Sequence, residues 1–85
     1  MDQHQLERMA FNILILGMDL NKEDKISTLA EIAFHAKLDK SVFPHFIEGS
    51  LQALEVGYEA WKEIFAQYMI SSGNSELIVN INKLF

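Results

Sequence analysis

Cysteine is absent from this 85-residue chain, which removes disulfides, thiolate metal sites and thiol nucleophiles together and suits a reducing compartment. Basic charge is scarce: 7 lysines and arginines stand against 12 acids, for a formal net charge of -5. Between Ser41 and Trp61 there is no lysine or arginine at all, whereas Glu48, Glu55 and Glu59 fall in that interval. Such a chain repels phosphate backbones and anionic lipid heads unless its cations cluster, and they do not. His4, His35 and His45 are never four residues apart and no H-E-x-x-H pair occurs, so no metal ligand set is expected. There is no strained nucleophile turn and no glycine-rich loop to cradle a phosphate. The expectation is a non-enzyme without catalytic residues or cofactor. The opening MDQHQLERMA has an acid where a signal peptide needs a basic region, and the apolar run from Met9 to Met18 contains Asn12. That run is only about half a membrane span, so a soluble cytoplasmic protein without a membrane segment is expected.

What the chain does have is helical periodicity. It predicts one all-α domain over residues 1–85, a bundle of four or five helices organised around a long central helix at about 46–70. In that stretch Glu48, Gln52, Glu55, Glu59, Lys62 and Glu63 gather on one side, and Phe46, Ala53, Leu54, Trp61, Ile64, Phe65 and Tyr68 on the other. Gly49, Ala53 and Gly57 form a row of small residues at spacing four. Glycine inside a helix costs roughly 1 kcal/mol relative to alanine, so close helix packing along that row is expected. A short break near Gly49 is the alternative.

The remaining elements follow in order. Asp2 to about Met18 reads as a first helix whose apolar residues point nearly all round, calling for enclosure on every side; a buried strand at NILIL is the alternative. Asn21, or Glu23 and Asp24, suit the entrance of a second helix that runs to about Lys37. Asp39 or Ser41 can cap a short third helix, with Pro44 in its first turn where a missing N–H costs little. Ser71 to Ser75 is a clear break, with glycine and asparagine as stop signals. The tail, 76–85, reads as a helix, with a strand left open.

The segment from Ser27 to Phe46, STLAEIAFHAKLDKSVFPHF, resembles the helix-turn-helix of tetracycline-repressor-family DNA-binding domains. Ser27 and Thr28 fall where that family starts its second helix, and Ile32 and Ala33 match its Ile-Ala pair. Ala36 and Leu38 flank the turn, while Lys40, Phe43 and His45-Phe46 fit the third helix. Lys37 occupies the turn position where the family usually has glycine, Asp39 replaces a small hydroxyl residue, and Pro44 replaces a tyrosine. The resemblance implies a tri-helical layout and, for a DNA-binding regulator, contacts from Lys37, Lys40, Ser41 and His45. Phosphate neutralisation supplies most non-specific DNA affinity, so a reading helix followed by acids ranks that function second.

The leading expectation is an acidic protein-interaction module. Hydrophobic residues make up 49% of the chain, and a small globule has proportionally little interior to hold them. Surplus apolar surface points to a homo-oligomer, with a dimer favoured, and to a further protein partner whose activity the chain regulates; nucleic acid and membrane are not expected partners. The interface candidates are Leu51, Glu55, Tyr58, Glu59, Phe65 and Met69, since large aromatics serve as hot spots and a glutamate stripe selects a basic partner. Trp61 is assigned to the core.

Overall fold

The computed structural model describes residues 3–16 and 20–76, with side chains described for 6–13 and 20–76. Four α-helices of 14 residues each account for most of them: α1 (Gln3–Leu16), α2 (Lys22–His35), α3 (Phe43–Val56) and α4 (Tyr58–Ser71). No strand occurs among the described residues. Ser75 and Glu76 are again helical, and the rest of the tail, on which the choice between helix and strand depends, lies outside the described residues.

Local chemistry sets the boundaries. At the entrance of α2 the Asn21 Oδ1 accepts a hydrogen bond from the Asp24 N–H at 2.8 Å, with Glu23 and Asp24 in the first turn; oxygen and negative charge there meet the free N–H groups of the helix end. The exit of α2 is a Schellman turn. Lys37 adopts φ +61°, its N–H donates to the Phe34 carbonyl at 3.1 Å, and the Leu38 N–H donates to the Ala33 carbonyl at 3.0 Å. The exit of α4 repeats the motif with glycine: Gly73 has φ +81°, its N–H donates to Ile70 at 3.2 Å, and the Asn74 N–H donates to Met69 at 2.7 Å. The two exits are tied together, because the Asn74 side-chain amide donates to the Ala36 carbonyl at 3.1 Å.

Asp39 does not cap α3, and neither does Ser41. The residue before the helix is Val42, which makes no side-chain capping bond. The Asp39 Oδ1 instead accepts from the Ser41 N–H at 3.0 Å and the Ser41 hydroxyl at 3.1 Å, shaping the turn that leads into the helix. Pro44 does lie in the first turn.

The long central helix is not continuous. Residues 46–70 divide into α3 and α4 at Gly57, whose φ of 152° and ψ of 168° lie in a region essentially restricted to glycine. This one residue closes one helix and opens the next: its N–H donates to the Ala53 carbonyl at 3.0 Å and its carbonyl accepts from the Trp61 N–H at 3.3 Å. Gly49, the alternative break point, lies inside α3. A Cβ placed on Gly49 would sit 4.0 Å from Ile64 of α4, whereas one on Gly57 would meet nothing within 4 Å. A contact of 4.0 Å is ordinary van der Waals packing that an alanine would also make, so no close approach demands glycine at Gly49, whereas backbone conformation accounts for it at Gly57.

The helices pack in series, α1 on α2, α2 on α3 and α3 on α4. Their inward positions form one core: Leu6, Met9, Ala10 and Ile13 from α1; Leu29, Ile32 and Ala33 from α2; Phe46 and Leu54 from α3; Trp61, Phe65 and Met69 from α4. Burying each large side chain of this kind contributes about 1.5–3 kcal/mol. The Phe46 and Tyr68 rings meet edge to face with centroids 5.1 Å apart, pinning α3 to α4. Among its described side chains α1 buries Leu6, Met9, Ala10 and Ile13 and exposes Arg8 and Asn12; the expected all-round enclosure depends also on side chains outside the described residues. Among the described residues two buried polar atoms, the Ser50 hydroxyl and the Trp61 indole nitrogen, have no hydrogen-bond partner.

Candidate functional site

The two ends of α3 carry different surfaces. At its C-terminal end the chain reverses through Gly57 into α4. Val56 lies 200° around α3 from the buried Leu54 and therefore points away from the core; it is 83% exposed, and Tyr58, the first residue of α4, is 46% exposed. Glu55 and Glu59, both exposed, flank this pair. Lys62 folds along the corner, its Nζ 3.4 Å from the Glu59 carboxylate and 5.8 Å from the centroid of the Tyr58 ring. The corner is thus an exposed valine and tyrosine edged with carboxylates.

At the N-terminal end of α3, the Schellman exits of α2 and α4 converge on a cleft of about 290 Å³ lined by Lys37, Leu38, Asp39, Val42, Ser71 and Ser72. Leu38 and Val42 are its apolar lining, and Lys37 and Asp39 are exposed beside them. The Asp39 carboxyl is held below the ordinary carboxylate value, first by the Ser41 backbone N–H and then by the Ser41 hydroxyl. The Ser71 hydroxyl donates to the Tyr68 carbonyl at 3.0 Å and that of Ser72 to the Met69 carbonyl at 3.2 Å.

Of the interface candidates, Glu55, Tyr58 and Glu59 come together at the corner and Leu51 is half-buried against the core. Phe65 and Met69 are a correction: both are buried in the core of the chain itself. With the break at Gly57, α4 has its own inward face, and Trp61, Phe65 and Met69 follow one another along it at helical spacing. In the small-residue row Gly49 faces Ile64, Ala53 packs half-buried against the core, and Gly57 makes no close approach. Lys37, Lys40, Ser41 and His45 are all exposed, spread over the turn between α2 and α3 and the first turn of α3. Ser27 and Thr28 lie in the second turn of α2, whose start is Lys22.

Among the described residues four exposed apolar side chains were not singled out by their sequence: Val56, Phe34 at 69%, Ile70 at 63% and Ile26 at 36%. Val56 would have been found from a break at Gly57, because its angular position then has no neighbouring helix to meet. His35 is half-buried with its ring 5.4 Å from that of Phe34, and His45 is exposed; the side chain of His4 lies outside the described residues. Among the described residues no group of three His, Cys, Asp or Glu side chains could hold a metal ion. Nor is any helix among them long and apolar enough to cross a membrane. The chain matches no protein-family model, no curated protein and no solved structure.

Proposed function

We propose that the chain is a non-enzymatic protein-interaction module of the cytoplasm, which associates with itself and regulates a macromolecular partner. The observation that carries this reading is the corner at Gly57, where Val56 is 83% exposed beside a half-exposed Tyr58 and both are edged by Glu55 and Glu59. An aromatic anchor with an acidic rim is the composition of a binding hot spot: the apolar centre supplies affinity, and the carboxylates speed encounter with a basic partner and reject acidic ones. Self-association, with a dimer as the smallest assembly, gives the exposed apolar side chains a cover. Light scattering on a size-exclusion column tests it. The mass rises above that of one chain as concentration reaches the high micromolar range; a single-chain mass throughout refutes self-association.

A second reading, a diverged helix-turn-helix regulator, is favoured by the shared exposure of Lys37, Lys40, Ser41 and His45 around the turn from α2 to α3. Binding of this kind weakens steeply as salt rises, because phosphate contacts release counterions. Fluorescence anisotropy with labelled duplexes separates it from the first reading, and no signal at low salt eliminates it.

A further inference from the structure

The corner and the cleft are complementary, and they lie at opposite ends of one helix. α3 has 14 residues, so they stand about 20 Å apart at 1.5 Å per residue, and one copy cannot fill its own cleft. We propose that the Val56–Tyr58 corner of one copy seats in the cleft of a second copy, making a head-to-tail contact; this rests on the self-association reading above and specifies its surfaces.

Three observations carry the contact. The first is charge. The corner presents the exposed carboxylates of Glu55 and Glu59 against Lys62, which pairs with Glu59 at 3.4 Å, and is net acidic, whereas the cleft end presents the exposed Lys37 and Lys40 against Asp39 and is net basic, in a chain with few cations to place anywhere. The acid at the cleft, Asp39, has its Oδ1 engaged by the backbone and hydroxyl of Ser41. Bringing the two ends together therefore pairs opposite charges, and bringing two corners together opposes like ones.

The second is size. A cleft of about 290 Å³ with Leu38 and Val42 in its lining takes one or two side chains and is at the lower limit of small-molecule sites. The exposed Tyr58 and Val56 are side chains of that scale and chemistry. The third is the backbone of Lys37. Its φ of +61° is a conformation that glycine adopts without penalty, as Gly73 does at the corresponding position of α4. A lysine is held there at a conformational cost, and the conformation sets its side chain at the cleft.

Each copy owns one corner and one cleft, and in the head-to-tail arrangement, unlike a reciprocal two-fold one that would use both twice, a pair leaves one of each open. Association of this type continues into chains or closes into a ring instead of stopping at a two-fold dimer.

Two variants at exposed positions test it by light scattering, with circular dichroism to verify folding. Ser71→Trp fills the cleft and keeps the corner; Val56→Ser with Tyr58→Ser removes the corner and keeps the cleft. The expected result is that the wild type associates, that each variant alone is monomeric, and that an equimolar mixture forms a 1:1 dimer and stops there. Lys37→Glu, a milder change, is expected to weaken wild-type association about tenfold. If the wild type associates but either variant alone does so equally well, the head-to-tail contact is wrong and self-association uses another surface. Monomeric variants whose mixture is also monomeric overturn it in favour of a two-fold contact. A monomeric wild type removes both this contact and the self-association reading.

Discussion

The two ends of α3 solve the same problem, reversing a helical chain, by opposite means. At the cleft end the left-handed residue of each exit is surrounded by restraints: the Schellman hydrogen bonds of α2 and α4, and the Asn74 amide that ties one exit to the other. At the corner a single glycine between the helices caps the end of one and the start of the next, and no side chain caps either. Where strain is shared among many contacts, the identity of the strained residue is free to vary, and a lysine can stand at φ +61°. Where the reversal rests on one backbone conformation, only glycine fits.

That contrast can be broken most sharply at the corner. Gly57→Ala forces a side chain onto φ 152°, ψ 168°, and is expected to lower stability by about 2 kcal/mol. Urea unfolding measures it, and an unchanged midpoint would mean that the corner relaxes without cost. At the cleft end the effects are smaller, and the two substitutions there differ in sign from each other. Gly73→Ala is expected to destabilise by about 1 kcal/mol, while Lys37→Gly stabilises by about 0.5 kcal/mol, the relief of left-handed strain being partly offset by a more flexible unfolded chain. Equal responses at the two positions would show that the exits of α2 and α4 are not equivalent. The smallest effect belongs to Asp39. Its folded value lies below that of the unfolded chain, so its hydrogen bonds to Ser41 favour the fold above about pH 3.9, and this contribution is lost as pH falls through the depressed folded value. An NMR titration of the side-chain carboxyl in the folded protein should have its midpoint below that of an unstructured aspartate; a midpoint at or above it rules out the turn seen here.

Much of the helical order was legible because it rests on local chemistry. Asn21 with Asp24 announced the start of α2, Pro44 fell in the first turn of α3, and Gly73 with Asn74 marked the end of α4. The reversal at Gly57 was hidden by the regularity around it. Gly49, Ala53 and Gly57 keep helical spacing, and the buried Phe46, Leu54, Trp61 and Phe65 continue nearly in phase across the break. Two helices folded back on the same core can leave an unbroken periodic pattern, and then a glycine that ends a helix looks like one that packs inside it. The same misreading placed Phe65 and Met69 on an interface. Of the candidate site, the acids and Tyr58 were legible from composition and angular position. The cleft was not, because it is assembled from the exits of α2 and α4, which are distant in sequence, and because nothing in a lysine announces positive φ.

The chain has a single tryptophan, and it is fully enclosed, stacked at a tilt on Phe65 with ring centroids 5.0 Å apart and its indole N–H unpartnered. An indole kept dry and given no acceptor fluoresces at the blue end of its range, so loosening of α4 from the core registers as a red shift in emission. Because Trp61 lies inside the fold while the corner and the cleft lie outside it, that colour distinguishes a copy that has opened from one that has only met another.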